Sequence, residues 1–236
     1  MRIAAVGDVH AGRTSTRELI ARLHRIGEDA DMLLLAGDLT DHGEPEQAVT
    51  LATQLASVSI PIVCVLGNHD YERGSPLAVV DALEHAGVRT LDGTSFVVGN
   101  VGVAGVKGFG GGFDPRQLSA FGERVLKDFV AEIDRETTKL AHALARLETQ
   151  HKIVLLHYSP VIGTLEGEPR EIYPFLGSSK LAIVAEKFGA TMILHGHAHG
   201  GQFSSHTKNG IPVYNCAASV LRRLEPPRGY AVFDLD

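Results

Sequence analysis

Five short blocks of the sequence contain histidine, aspartate or asparagine, side chains that often bind metal ions or transfer protons. They lie at residues 7–10, 37–41, 67–70, 157 and 195–199. Oxygen and nitrogen donors mixed in this way suit Mn, Fe, Co, Ni or Zn better than Mg or Ca. A carboxylate that bridges two such cations holds them roughly 3.5–4 Å apart, and a solvent molecule between them ionises near neutral pH. The residue types therefore indicate hydrolytic metal chemistry.

The spacing within the blocks brings side chains to the same side of the chain. Asp8 and His10 lie two positions apart, as do His197 and His199. Residues two positions apart share one face of an extended segment, so both side chains of each pair can reach the metal site. Asn68 adds a neutral carbonyl oxygen, which limits the negative charge around the metals.

Each block follows a short apolar run that has the length of a buried strand. The runs cover residues 3–6, 32–36, 60–66, 153–156 and 191–194. In α/β folds, functional sites gather at the carboxyl ends of parallel strands. Blocks at five successive strand ends therefore predict one shared site, which turn formation alone would not explain.

The runs between the blocks predict the elements that position them. Helices are predicted over residues 15–26 and 46–58, the second with Pro45 at its first position. Alternating strands and helices favour a parallel sheet covered by helices. The remaining predicted elements are a hairpin (96–98 and 101–106), a glycine-rich loop (107–117), a helical stretch with at most one break (118–150), a loop (158–177), a helix capped by Ser178 that ends near 188, and strands at 211–214 and 230–235. We expect an α/β fold with two sheets face to face and helices outside, in a single domain over residues 1–236.

Composition excludes several classes of protein. Apolar residues make up 44% of the 236 residues, too many for a disordered chain. The 22 Lys and Arg against 28 Asp and Glu give a net charge of −6, which disfavours a stable nucleic-acid complex. The two cysteines, Cys64 and Cys216, lie far apart in apolar runs, so no thiolate metal site is expected. No segment has the length of a signal peptide or membrane span, so we expect a cytoplasmic protein without membrane contact.

Together the blocks resemble the calcineurin-like metallophosphoesterase superfamily in order and spacing, from Asp8 to His199. The resemblance implies a four-layer αββα sandwich of two mixed β-sheets flanked by helices. It also implies two divalent transition-metal ions, Mn, Fe or Zn with Co or Ni as alternatives, and Asp38 as the bridge between them. One ion would be held by Asp8, His10, Asp38 and His199, and the other by Asp38, Asn68, His157 and His197.

The same resemblance assigns the catalytic groups. His69 would face the scissile phosphate and protonate or stabilise the departing oxygen, and Asp41 would orient that histidine. The implied reaction is in-line attack on phosphorus by a hydroxide that bridges the two metals. Arg13 and His42 are candidate substrate contacts, and His195 is expected to support the site without binding metal.

Several residues differ from the patterns of better-known branches of the superfamily, and these differences restrict the expected activity. His10 and Asp41 replace the glycine and tyrosine of purple acid phosphatases, and His42 and Asp70 depart from the protein-phosphatase pattern. The pattern is most similar to small phosphodiesterases that act on nucleotide-like or cyclic-nucleotide diesters. The alternatives are a phosphomonoesterase acting on a small metabolite or nucleotide, then a nuclease or a non-catalytic module. Because many members of the superfamily pair, a homodimer is also considered.

The two long loops are the candidates for substrate selection. Lys107 or Arg116 in the glycine-rich loop could clamp a phosphate or base, with a mobile surface loop as the alternative. Arg170, Tyr173 and Phe175 could form a pocket in the loop that follows His157.

Overall fold

The computed structural model describes residues 1–13, 23 and 25–235. The strands are β1 (Arg2–Val6), β2 (Met32–Ala36), β3 (Ile62–Val65), β4 (Arg89–Thr90), β5 (Thr94–Val98), β6 (Val101–Gly105), β7 (Gly112–Phe113), β8 (Arg116–Gln117), β9 (His151–Leu155), β10 (Met192–His195), β11 (Ser204–His206), β12 (Pro212–Asn215) and β13 (Ala231–Asp234). The helices are α1 (Ile26–Asp29), α2 (Pro45–Leu55), α3 (Pro76–His85), α4 (Arg124–Ala145), α5 (Tyr173–Leu176), α6 (Ser179–Lys187) and α7 (Ala218–Arg222).

Two mixed sheets form the centre of the molecule. The first has the order β13-β1-β2-β3-β4, and the second has the order β11-β12-β10-β9-β6-β5. In the first sheet β1 to β4 run parallel and β13 is antiparallel to β1. In the second sheet β6, β9, β10 and β12 run parallel, while β5 and β11 are antiparallel edge strands. This is the predicted pair of mixed sheets.

Alternation along the strands of the second sheet separates two hydrophobic cores. Ile153 packs in the core that also holds the first sheet and residues of α2 and α3. Its neighbour Val154 points the other way, into a core built with residues of α4 and α6. Because successive side chains face opposite sides of a sheet, each sheet has helices on its outer face. The layers are therefore helix, sheet, sheet and helix, which confirms the predicted α/β sandwich.

Several predicted elements differ in their bounds. The helix predicted over residues 118–150 covers only Arg124–Ala145, because Gly122 has a φ of 93° that an α-helix does not accept. The loop 107–117 contains the short strands β7 and β8. Sequence periodicity also misses β4 and the polar edge strand β11, which are only two and three residues long.

Other predictions agree with the structure or lie outside it. The hairpin β5–β6, the start of α2 at Pro45 and the Ser178 cap of α6 are confirmed. The helix predicted over residues 15–26 falls almost wholly outside the described residues. Both cysteines are buried, as expected. Among the helices that the structure describes, none combines the length and apolar character needed to cross a membrane.

Candidate metal centre

The five polar blocks meet at one edge where the two sheets adjoin. The blocks of Asp8, Asp38 and Asn68 follow β1, β2 and β3 of the first sheet. His157 follows β9, and His195–His199 begins at the end of β10 in the second sheet. Because these strands are parallel within each sheet, their carboxyl ends bring residues distant in sequence together. The site thus belongs to both sheets.

Two groups of potential ligands share one carboxylate. Within each group the donor atoms lie within 4.8 Å of one another. The first group is Asp8, His10, Asp38 and His199, and the second is Asp38, His157 and His197. Asn68 joins the second group, because its Oδ1 lies 3.0 Å from Nε2 of His157. Asp38 therefore occupies the position from which one residue reaches two cations.

Four of these residues adopt a backbone conformation that is unfavourable for a residue with a side chain. The φ angles are 57° at Asp8, 45° at His10, 49° at Asp38 and 68° at His197. They are the only non-glycine residues with positive φ in the described part of the chain. Left-handed backbone at such residues costs of order 1–3 kcal/mol each and clusters at functional sites. The strain coincides with the residues expected to hold metal.

A glycine opens the space that the second group requires. A Cβ on Gly67 would lie 2.2 Å from Oδ1 of Asp38 and 2.8 Å from Cε1 of His157. Gly37 likewise faces the His157 ring, at 2.5 Å from its Nδ1, with a φ of +80°. Any larger residue at these turns would push the imidazole or the shared carboxylate away.

Hydrogen bonds fix the orientation of His157. Its Nδ1 lies 2.9 Å from the carbonyl oxygen of Ala36, to which it donates. Burial lowers the pKa of His157 to about 4, so the ring is neutral at neutral pH and Nε2 carries a lone pair. That atom faces Asn68 Oδ1 at 3.0 Å and Asp38 Oδ1 at 3.3 Å. Three lone-pair donors so close together suit a cation. The hydrogen bond from Nδ1 to the Ala36 carbonyl is also usual for a metal-bound histidine, whose second ring nitrogen donates to a carbonyl or carboxylate.

Charge in the site also favours cations. Burial, followed by repulsion from Asp8, raises the pKa of Asp38 to about 9. Burial opposes ionisation of Asp8, but the hydrogen bond from His199 and the surrounding imidazoles lower its pKa to about 2. Burial lowers the pKa of His10 to about 4 and that of His197 to about 3. Neutral imidazoles beside two buried carboxyl groups form a donor set that two divalent ions would complete.

Asp8 and Phe175 hold the histidines of the last block. The carboxylate of Asp8 accepts hydrogen bonds from the backbone N–H of His197 at 3.0 Å and from Nε2 of His199 at 2.7 Å. The ring of His197 is hydrogen-bonded to the backbone of Phe175. His195 is fully buried, and its Nε2 accepts a hydrogen bond from Oγ1 of Thr164 at 2.9 Å. It lies beside the site and outside both ligand groups.

His69 is placed to face the space in front of the ligands. Its backbone N–H donates to Oδ1 of Asp38 at 2.9 Å. Its Nδ1 lies 2.7 Å from the backbone carbonyl oxygen of Asp41, so Nδ1–H donates this hydrogen bond and Nε2 takes no part in it. Nε2 lies 3.9 Å from Oδ2 of Asp38, and the ring is about 30% exposed. The orientation expected from Asp41 is thus supplied by its main chain.

The carboxylate of Asp41 has other partners. It forms an ion pair with Nε of Arg13 and lies 3.4 Å from Nδ1 of His10. Arg13 remains about 43% exposed at the rim of the site. His42 is turned toward Glu72, with Nδ1 3.0 Å from the Glu72 carboxylate. Both expected substrate contacts therefore lie next to Asp41, each already paired with an acid.

Asp70 has a structural role that sequence analysis did not assign. It is fully buried, and one oxygen accepts hydrogen bonds from the backbone N–H and the hydroxyl of Thr40 at 2.8 and 2.6 Å. The other oxygen accepts from the N–H of Leu39 at 3.2 Å and of Gly67 at 2.8 Å. This one carboxylate ties the turn of Asp38 to the turn that carries Asn68. Its only signal in the sequence is its position as the acid that ends the third block.

Comparison with known proteins identifies the family. The family model for calcineurin-like phosphoesterases matches residues 1–201, so the chain belongs to this family of dinuclear metal-dependent phosphoester hydrolases. No curated protein matches the sequence.

Solved structures with low sequence identity share the fold. TT1561 of Thermus thermophilus is 16% identical, with a TM-score of 0.55 and coverage of 99% of this chain and 98% of that chain. The purple acid phosphatase PPD1 from yellow lupin is 13% identical, with a TM-score of 0.60 and coverage of 93% of this chain. The present chain spans 44% of the lupin protein, less than half of its length.

Proposed function

We propose that the protein is a dinuclear metal-dependent phosphodiesterase that hydrolyses a small nucleotide-like or cyclic-nucleotide diester. The observation that carries this proposal is the sharing of Asp38 between two groups of ligands. One shared carboxylate sets two cations close enough to act on a single phosphate. The left-handed backbone at four of the ligands supports the same assignment, since such strain is retained where function requires it.

The donor atoms suit transition metals. We assign one ion to Asp8, His10, Asp38 and His199, and the other to Asp38, Asn68, His157 and His197. Imidazole and carboxylate together favour Mn, Fe or Zn, with Co or Ni as alternatives, over Mg or Ca. When bound, the two ions would activate a water molecule and neutralise charge on the phosphate. Two divalent cations outweigh two ligand carboxylates, so the cleft of this acidic chain would attract an anionic substrate.

In its doubly protonated form, His69 would donate its Nε2 proton to the leaving group. Its Nδ1–H is held by the Asp41 carbonyl, which leaves Nε2 directed at the space in front of Asp38. A diester releases an alkoxide of high pKa, so protonation by a positioned imidazole lowers its barrier. Arg13 and His42, at the rim, would contact the phosphate or its substituents. The positive charge of Arg13 would also suit a monoester dianion, which keeps a phosphomonoesterase as the second candidate.

A panel of substrates supplied with Mn tests the proposal. It comprises bis-p-nitrophenyl and p-nitrophenyl phosphate, 3′,5′- and 2′,3′-cyclic nucleotides, and mononucleotides. We expect turnover of the diesters to exceed that of the monoesters. Higher turnover of the mononucleotides would make the monoesterase assignment the correct one, and single-stranded DNA as a further substrate would reveal a nuclease.

The variant His69→Ala tests the role of the imidazole. It should lower turnover of an unactivated diester by about 10²–10⁴-fold, the range for general acid catalysis, and affect an activated aryl monoester much less. His85→Ala, which removes an exposed histidine at the end of α3, is the matched control and should change neither rate. Equal losses on both substrates would contradict a proton donated to the leaving group.

We also infer that the protein acts in the cytoplasm on a small soluble substrate and forms no stable nucleic-acid complex. We propose a homodimer as its oligomeric state, which light scattering would test.

A further inference from the structure

A groove beside the candidate metal centre combines apolar walls with a lysine. Its volume is about 410 Å³, within the range of small-ligand pockets. Leu66 and Tyr71, which flank the turn of Asn68 and His69, both line it. The groove therefore begins at the loop that carries a proposed ligand and the proposed acid, and it extends along α3 and β4, where Leu91 also lines it.

Lys107 lines this groove, whose polar lining also includes the acids Glu84 and Asp92. Its Nζ lies 4.8 Å from the ring centre of Phe109, 5.3 Å from that of Tyr158 and 5.6 Å from that of Tyr71. The ring of Tyr158 in turn lies 4.4 Å from the ring of His197. One aromatic side chain thus separates the ammonium group from a proposed metal ligand.

The ammonium group of Lys107 retains capacity for an anion. It donates one hydrogen bond, to the carbonyl oxygen of Gly108 at 2.8 Å, and an ammonium group has three donors. In the described part of the chain no carboxylate forms an ion pair with it. The nearby acids Asp92 and Glu136 are instead paired with Lys139, at 2.8 and 3.1 Å.

We propose that this groove binds one organic arm of the phosphodiester substrate and that Lys107 pairs with a second anionic group carried by that arm. The apolar body of the arm would pack against Leu66, Tyr71 and Leu91, while the reacting phosphate lies at the metal centre. This inference rests on the proposed phosphodiesterase function and adds the substrate class: a diester with a hydrophobic arm that ends in a carboxylate or phosphate. Lys107 is then a residue that determines specificity.

Three matched diesters test the inference on the metal-loaded protein. They are p-nitrophenyl phosphodiesters whose second arm is phenyl, 4-carboxyphenyl or 4-(trimethylammonio)phenyl, and each releases the same p-nitrophenolate. We expect the carboxylated arm to give a KM about tenfold below that of the phenyl arm, the size of a charge-assisted hydrogen bond. The cationic arm should give the highest KM, and kcat should be similar for all three.

Lys107→Gln should remove the preference for the carboxylated arm, so that its KM rises about tenfold to near that of the phenyl diester. Lys107→Arg should keep the preference, because the charge remains. Glu84→Gln removes an acid that lines the same groove and should lower the KM for the carboxylated arm further. The matched control is Lys180→Gln, which removes a lysine outside the groove lining and should have no effect.

The outcomes separate the two proposals. If the wild type hydrolyses none of the three diesters, the phosphodiesterase function fails. If it hydrolyses all three with equal KM, or binds the cationic arm best, the function stands and the subsite is wrong. The subsite is also overturned if Lys107→Gln lowers turnover of the neutral and anionic diesters alike, since the lysine would then not discriminate between arms.

Discussion

The pKa of Asp38, a single residue, shows how the site depends on bound cations. Burial and the neighbouring Asp8 raise its pKa to about 9, whereas a metal ligand must be deprotonated near neutral pH. Two bound cations would offset both effects and stabilise the carboxylate. Burial lowers the pKa of His10, His157 and His197, so these three imidazoles offer lone pairs without competing protons. The hydrogen bond to Asp8 instead raises the pKa of His199.

The ligand residues could be predicted from the sequence, but their supports could not. Asp8, His10 and Asp38 stand at recognisable spacings after apolar runs. The main-chain carbonyl that orients His69 and the four hydrogen bonds to Asp70 depend on how separate turns pack. Apart from the local hydrogen bond of Gly67 to Asp70, these contacts join segments about thirty residues apart, and no local pattern in the chain encodes them.

Asp70→Asn tests the carboxylate that joins the two turns. An amide group would place an N–H against donors that now meet an oxygen, because both carboxylate oxygens of Asp70 accept hydrogen bonds from neighbouring turns. Leaving buried donors unpaired costs about 1–3 kcal/mol each, so we expect the free energy of unfolding to fall by roughly 2–5 kcal/mol. Urea denaturation measures it. Asp134→Asn, at an exposed ion pair with Lys180, should cost less than about 1 kcal/mol. A loss at Asp70 as small as that of this control would contradict the assigned role.

At the scale of the elements, tight turns at strand ends set the geometry of the site. The turns after β1, β2 and β10 place Asp8, Asp38 and His197 in left-handed backbone. Gly37 and Gly67 let the His157 ring and the Asp38 carboxylate approach the backbone. Strand order and register bring these turns together, and the short apolar runs were sufficient to predict the strands that carry them.

Gly67→Ala tests the closeness of this packing. The added Cβ would lie 2.2 Å from Oδ1 of Asp38, so the shared carboxylate must move. A displacement of about 1 Å at a reacting centre lowers turnover by about 100-fold, and we expect a loss of at least this size in kcat for bis-p-nitrophenyl phosphate. The control is Gly87→Ala, where a Cβ meets no atom within 4 Å and only the positive φ is strained. It should retain kcat, and unchanged kcat in Gly67→Ala would show that the turn has room to relax.

Elements without a strong apolar period were predicted least well. The helical stretch predicted from Leu118 begins only at Arg124 in the structure. Leu118, Phe121 and Val125 are exposed, and Gly122, with a φ of 93°, separates Phe121 from the helix. Short edge strands such as β11 are held by pairing with β12, which is a tertiary property.

At the scale of the whole molecule, two sheets and their helices serve to bring five strand ends to one edge. Neither sheet supplies a complete ligand group, since Asp8 and Asp38 follow strands of the first sheet and His157 and His199 follow strands of the second. The overall charge of −6 gives no hint of an anionic substrate, because the bound cations would determine the charge of the cleft. The arrangement of layers followed from the order of predicted elements, together with the resemblance to the family.

Metal content tests the central claim most directly. The wild type and Asp38→Ala would be purified with Mn and Zn supplied, then compared by elemental analysis and by turnover of bis-p-nitrophenyl phosphate. Because Asp38 belongs to both ligand groups, we expect two metal ions per chain and turnover in the wild type. In the variant we expect weaker binding of both ions and no measurable turnover. An Asp38→Ala protein that keeps two metal ions and full turnover would contradict the dinuclear centre.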